Sequence, residues 1–128
     1  SPLLVKVEHA HIAYALGYVE EARERFHAVL NGRSERSCEE GAKFEARRFL
    51  AYDEINNLHR PARGLALLEE ALAQHKDHPE LLRNRLQAWI DLGRLDEARA
   101  EAERMRHMAG LEEVAAALLK KIHEKKAP

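Results

Sequence analysis

Residues 93–99 are Gly93-Arg94-Leu95-Asp96-Glu97-Ala98-Arg99, and residues 17–23 are a near copy, Gly17-Tyr18-Val19-Glu20-Glu21-Ala22-Arg23. In each stretch the glycine can end a helix in the left-handed conformation. The acids that follow suit the first turn of a second helix, because a helix N-terminus attracts negative charge. The alanine lets the two helices pack closely. This pattern predicts a helix–turn–helix elbow, and its recurrence indicates that the chain is a repeat.

The composition favours an all-α protein. Of the 128 residues, 34% are charged and 5% are aromatic, which is typical of helices and a poor match to a β-sandwich or barrel. The formal net charge is −1, and the sequence has no basic cluster of the kind that binds nucleic acid. No apolar run approaches the roughly 20 residues of a membrane-spanning helix. We therefore expect no nucleic-acid partner and no direct insertion into a membrane.

Apolar residues at three- and four-residue steps predict helices along most of the chain. These helices form about three antiparallel hairpins, followed by a single helix that caps the array. The predicted bounds are 3–31, 37–75 and 79–108 for the hairpins and 111–125 for the capping helix. Together they make one helical repeat domain over residues 1–128, an α-solenoid in which neighbouring hairpins share their core.

The middle hairpin departs from the pattern. His59 stands where the other elbows have glycine, and Gly64 stands where they have alanine. The spacing from His59 to Gly93 is 34 residues, whereas about eight extra residues fall within 31–40. Ser37 begins a capping-box pattern for the next helix. The residues before it carry no large apolar side chain, so we expect this insertion to be the most mobile part of the chain.

These hairpins resemble the tetratricopeptide repeat. They repeat at 34 residues, their elbow reads Leu-Gly-x-apolar-acid-Glu-Ala, and a proline lies near the start of the next hairpin. The matching residues are Leu16 to Ala22 with Phe26, Leu92 to Ala98, and His78-Pro79, and the likeness covers residues 3–108. This resemblance implies a non-catalytic scaffold that binds a protein or peptide. It also implies that the first helix of each hairpin lines a concave groove.

The resemblance implies which face of each first helix lines the groove. Counting residues back along the helix from its elbow then gives the residues on that face. They are His11, Tyr14, Phe49, Asp53, Asn56, Asn57, Arg83, Asn84, Gln87 and Asp91. Amide side chains both donate and accept hydrogen bonds, which suits the main chain of a peptide or the hydroxyls of a sugar polymer. Asp53 and Asn57 lie one helical turn apart on the second hairpin. We expect them to face Arg83 and Gln87 of the third hairpin and to form the polar centre of the groove.

The sequence has no convincing catalytic or metal-binding pattern. His75 and His78 are the closest pair of candidate zinc ligands, but a zinc site usually takes three or four ligands. The single cysteine, Cys38, lies in a charged loop with no glycine elbow or phosphate loop nearby. We therefore expect no enzyme activity, no cofactor and no metal.

Two functions of different class are favoured over an enzyme or metal protein. The first is a module for protein–protein interaction. The second is a periplasmic scaffold segment of a bacterial polysaccharide-export or envelope assembly machine, whose groove contacts glycan or partner proteins. The start, Ser1-Pro2-Leu3, has no signal-peptide pattern, which favours the cytoplasm. A signal peptide in a longer parent protein would instead favour the periplasm, and the missing initiator methionine suggests such a parent.

The first helix carries more apolar surface than one hairpin partner can cover. Leu4, Val5 and Ile12 spread around more than one face of it. Repeat arrays with an uncapped end continue or associate. We expect further repeats upstream in the parent protein, or self-association through this end.

Overall fold

The computed structural model describes residues 2–32 and 39–126, and over these ranges the protein contains seven helices and no strand. The helices are α1 (Pro2–Ala15), α2 (Val19–Asn31), α3 (Glu40–Asn56), α4 (Pro61–Gln74), α5 (Pro79–Asp91), α6 (Leu95–Met105) and α7 (Glu112–Lys126). The all-α prediction is confirmed. The predicted capping box at Ser37 and the predicted mobile insertion lie outside the described residues.

The helices pack as three hairpins and a final helix. α1 packs on α2, α3 on α4 and α5 on α6, while α7 packs on α6 and reaches α5. The first helices of successive units also touch in order, α1 with α3, α3 with α5 and α5 with α7. The second helices α2 and α4 fill the junctions between hairpins, because α2 packs on α3 and α4 packs on α5. This is the α-solenoid that the sequence predicts.

The elbow glycines have the predicted conformation. Gly17 and Gly93 have φ values of 88° and 75°, and His59 has a φ of 54° at the corresponding place in the middle elbow. At the first elbow the Tyr18 amide donates to the Ala13 carbonyl five residues back, which closes the end of α1. Gly32 follows the last residue of α2 with an extended backbone.

The middle elbow contains one extra residue. α1 and α5 each end two residues before the elbow glycine, whereas α3 ends three residues before His59. The closing hydrogen bond correspondingly comes earlier, from the Leu58 amide to the Asp53 carbonyl. Because one residue advances a helix by about 100°, this extra residue changes which side chains of α3 face each neighbour.

The hydrophobic core continues across the junction where the sequence carries its insertion. Phe26 of α2 and Phe49 of α3 stack with ring centroids 4.2 Å apart, beside the buried Val29 and Leu50. A second cluster joins α3 to α7 through buried side chains from every helix between them, ending at Ile122. The solenoid is therefore packed from one end of the described chain to the other.

Candidate functional site

The groove is the surface along which α1, α3, α5 and α7 lie side by side. It contains two hollows. The N-terminal hollow, of about 240 Å³, is lined by His11, Tyr14, Arg48, Phe49, Tyr52 and Glu80. The C-terminal hollow, of about 400 Å³, is lined by Tyr52, Asn56, Arg83, Asn84, Gln87, Val114, Ala117 and Leu118. Tyr52 borders both hollows, so together they form one continuous groove.

The charges around the N-terminal hollow neutralise one another. The guanidinium of Arg48 donates to both carboxylate oxygens of Glu80 on α5, at 2.8 and 2.9 Å, and to Glu45 at 2.7 Å. The imidazole Nε2 of His11 lies 3.7 Å from the same Glu45 carboxylate. This strip ties α1, α3 and α5 together. Its hydrogen-bonding capacity is largely used within the protein.

The pairing also fixes the ionisation of this strip. Burial would raise the pKa of the Glu45 carboxyl, but the hydrogen bond and positive charge of Arg48 outweigh it and hold that pKa below its usual value. Burial would likewise lower the pKa of Arg48, yet its bonds to Glu45 and Glu80 raise it. Both groups therefore stay charged at neutral pH.

The C-terminal hollow has a different chemistry. Arg83 is exposed, and its guanidinium has no partner among the residues that the structure describes. Asn84 is only 6% exposed, and its Nδ2 group donates to no other described residue. Val114 and Leu118 of α7 supply a half-buried apolar wall. The described lining thus combines a free cation and an amide donor with apolar surface, and it includes no carboxylate.

The remaining polar groups of this hollow bond to each other. The Gln87 amide nitrogen donates to Asp91 at 2.8 Å, and the Lys121 ammonium donates to the Gln87 carbonyl oxygen at 3.3 Å. The Asn56 amide nitrogen donates to the Tyr52 main-chain carbonyl at 3.1 Å. These bonds hold α3, α5 and α7 side chains at the rim, and none of the three involves Arg83.

The sequence profile of the tetratricopeptide repeat matches residues 58–122, just over half of the chain, from the middle elbow to the last turns of α7. The chain belongs to the tetratricopeptide-repeat family. Comparisons with the curated proteins and with the solved structures give no significant match. Tetratricopeptide repeats generally mediate protein–protein interaction, and the family is typically non-catalytic.

Most of the groove residues expected of this tetratricopeptide-repeat protein line the two hollows. His11, Tyr14 and Phe49 line the N-terminal hollow, although Phe49 is itself buried against Phe26. The C-terminal hollow brings together four expected residues, namely Asn56, Arg83, Asn84 and Gln87. Asp91 lies at its edge, where it accepts the hydrogen bond from Gln87.

The expectation that Asp53 and Asn57 face Arg83 and Gln87 is wrong. Asp53 is fully buried, and its carboxylate accepts hydrogen bonds from Arg23 Nε at 2.5 Å and Arg23 Nη2 at 3.1 Å. Asn57 donates to the same carboxylate at 2.8 Å. The cause is the extra residue in the middle elbow, which turns Asp53 toward α2.

The extra residue in the middle elbow also turns Arg48 and Tyr52 of α3 into the groove. The sequence prediction missed both because it counted positions from His59. A local signal could have found them, because Glu45-x-x-Arg48 of α3 matches Glu80-x-x-Arg83 of α5. Aligning these two motifs places Tyr52 opposite Gln87. The apolar wall of α7 was also missed, because a helix expected only to cap the array was not considered as part of the groove.

The histidine pair near the third hairpin packs against an aromatic ring. The rings of His75 and His78 lie 4.2 and 5.7 Å from that of Phe44. Within residues 2–32 and 39–126, no group of three or more His, Cys, Asp or Glu side chains is arranged to hold a metal ion. Cys38 lies outside these ranges. Over the same part of the chain, no helix is both long enough and apolar enough to cross a membrane.

Proposed function

We propose that this tetratricopeptide-repeat protein binds a short segment of a partner protein in its groove, and that the C-terminal hollow makes the specific contacts. The preferred segment carries an apolar side chain next to a carboxylate. The observation that carries this proposal is the Arg83 guanidinium, which has no partner within the described part of the chain and lies beside the apolar wall of Val114 and Leu118.

The charge distribution supports a negatively charged ligand group. Arg48 in the N-terminal hollow is already held by Glu45 and Glu80, so a ligand carboxylate would have to displace one of them. Arg83 offers its guanidinium without that competition. An arginine can donate two parallel hydrogen bonds to one carboxylate, and such charge-assisted bonds are about twice as strong as neutral ones. Asn84 adds an amide donor that suits a main-chain carbonyl.

The shape and polarity of the wall favour a peptide over the glycan that the sequence left open. Val114, Ala117 and Leu118 present aliphatic surface from α7. An aliphatic side chain buries this surface, whereas the hydroxyl groups of a sugar would lose hydrogen bonds to water against it. Tyr52 at the junction of the hollows provides a flat ring against which an apolar side chain can pack.

The test is a selection of random peptides on the immobilised protein, followed by affinity measurement of the selected peptides by fluorescence polarisation. We expect sequences that place Asp, Glu or a free C-terminus beside Leu, Ile, Val or Met. Arg83→Glu should weaken binding about tenfold or more, since a hydrogen bond to a charged group contributes about 1.5–3 kcal/mol. Tyr52→Ala should weaken it as well.

The matched control is Arg63→Glu, which makes the same charge change at an exposed arginine of the outer helix α4. The affinity of the Arg63→Glu variant for the selected peptides should remain within about twofold of that of the unmodified protein, because charges outside the site are screened by salt. Selected peptides that lack acidic groups, or that lose equal affinity with Arg63→Glu and Arg83→Glu, would contradict the proposal. Binding of an uncharged glycan in the same groove would favour the alternative.

A further inference from the structure

The outward face of α1 carries an exposed apolar stripe. Val5, Ile12 and Leu16 are 50%, 56% and 67% exposed and follow one another at seven- and four-residue steps; Val5 and Ile12 lie on one side of α1, and Leu16 comes directly after its last residue. Ala10, on another side of α1, is fully buried. Large apolar side chains exposed on one side of a helix are a common mark of a helix-packing surface.

The other first helices show what the corresponding face does. Ala10 of α1, Ala51 of α3 and Leu86 of α5 occupy equivalent positions of the three hairpins. All three are fully buried. Counting back from them, Val5 corresponds to Ala46 and Leu81. These two residues of α3 and α5 are fully buried.

Counting forward gives the same result. Ile12 corresponds to Asp53 of α3 and Ala88 of α5, and both are fully buried, whereas Ile12 is more than half exposed. At the positions of Val5 and Ile12 the face is therefore covered in the second and third hairpins and open in the first, whereas the counterparts of Leu16, Asn57 and Leu92, are exposed.

The structure shows which element provides that cover. At α3 it is α2, the second helix of the preceding hairpin, since Arg23 pairs with Asp53 and Phe26 stacks on Phe49. At α5 it is α4, whose buried leucines, among them Leu68, share one cluster with α5. Each interface joins the second helix of one hairpin to the first helix of the next.

We propose that the face formed by Val5 and Ile12 binds the second helix of a further tetratricopeptide-type hairpin, which precedes α1 in the same polypeptide. The contact continues the α2–α3 and α4–α5 interfaces by one more repeat. The occupant resembles α4 more than α2. Ile12 stands where α3 has Asp53, so an arginine equivalent to Arg23 would contact an apolar side chain instead of a carboxylate. The residue of α4 equivalent to Arg23 is Leu65.

The test supplies such a helix in the register that the protein already uses. Residues 40–78, which contain α3, α4 and the link to α5, are fused directly before Leu3 of the complete chain. The added α4 then precedes α1 as the original α4 precedes α5. We expect a single cooperative unfolding transition with a higher midpoint than that of the unfused chain.

Two substitutions locate the contact. Ile12→Glu should lower the midpoint of the fusion by about 5 °C or more, because it buries an unpaired charge, and it should change that of the unfused chain by about 2 °C or less. Leu4→Glu is the matched control, because Leu4 corresponds to Glu45 and Glu80, where the protein itself carries carboxylates. It should have little effect in either protein.

Two results would overturn the proposal. In one, the added hairpin unfolds separately, or Ile12→Glu changes the fusion and the unfused chain by the same amount. In the other, sedimentation shows that the unfused chain dimerises and that Ile12→Glu abolishes the dimer, so that a second copy is the occupant.

Discussion

The guanidinium of Arg23 holds the carboxylate of Asp53 with two hydrogen bonds, from Nε at 2.5 Å and from Nη2 at 3.1 Å. The pair joins α2 to α3, and so it links the first hairpin to the second across the insertion. Asp53 is fully buried, while the Arg23 side chain is 21% exposed. The hydrogen bond to Asp53 raises the pKa of Arg23 above its ordinary value.

Removing Arg23 should destabilise the protein strongly. Arg23→Ala leaves the Asp53 carboxylate buried with Asn57 as its one remaining side-chain partner among the described residues, and we expect a loss of about 3 kcal/mol in the free energy of unfolding. Urea denaturation at neutral pH measures it. The control is Arg25→Ala, which breaks an exposed pair with Glu21 on the same helix and should cost about 0.5 kcal/mol. Equal losses for the two variants would show that the buried pair does not hold the junction together.

Gly64 is needed for the close approach of α4 to α3. A Cβ atom at Gly64 would lie 2.4 Å from Ile55 Cγ1 and 3.1 Å from the Ala51 carbonyl oxygen. Gly64→Ala should therefore destabilise the protein by about 1–3 kcal/mol through overpacking, despite the better helix propensity of alanine.

Gly41→Ala is the matched control for Gly64→Ala. Gly41 also lies in a helix, but a Cβ atom there would meet no atom of the described residues within 4 Å. Alanine at this position should stabilise the protein by about 0.5–1 kcal/mol, because it restricts the unfolded chain and favours the helix. In thermal unfolding, the midpoints of Gly64→Ala and Gly41→Ala should shift in opposite directions from that of the unmodified protein. Shifts in the same direction would refute the packing explanation.

The sequence predicted the helices and their order because short-range rules decide them. Gly17 and Gly93 end their helices in the left-handed conformation, and Pro61 and Pro79 each begin one. These signals depend on a few neighbouring residues and need no knowledge of the rest of the fold.

Helical phase in the second hairpin could not be predicted in the same way. Whether α3 ends two or three residues before His59 makes no difference to the local sequence preferences. It nevertheless rotates the side-chain positions of α3 by about 100°. The consequence is that Asp53 pairs with Arg23 of α2 while Tyr52 faces the groove. Helix ends are the least certain part of such a prediction, and a side-chain assignment counted from a helix end carries that uncertainty in full.

Acid should weaken the contact between α5 and α6. The Glu101 carboxylate is buried and accepts hydrogen bonds from Arg104 Nη2 and Arg85 Nη2, each at 3.0 Å. Burial alone would raise its pKa, but the two arginines outweigh burial and lower the pKa from its ordinary value of 4.5. A lowered pKa in the folded state contributes stability that is complete above about pH 4.5 and is lost as the pH falls through the folded value.

The measurement is the free energy of unfolding between pH 3 and pH 7 for the unmodified protein and for Glu101→Gln. We expect the variant to be less stable at pH 7 and to lose less stability on acidification, because it cannot take up this proton. Glu124→Gln, at an exposed carboxylate near the end of α7, should leave the pH dependence unchanged. Parallel curves for Glu101→Gln and the unmodified protein would contradict this assignment.

The most direct test of the binding proposal is to map the bound peptide by NMR. A peptide from the selection, with a carboxylate beside an aliphatic residue, is titrated into the ¹⁵N-labelled protein. We expect the largest amide shift changes around Tyr52, Arg83 and Leu118, and Arg83→Glu should remove them. Shift changes confined to the outer helices α2, α4 and α6, with the groove amides unchanged, would contradict it.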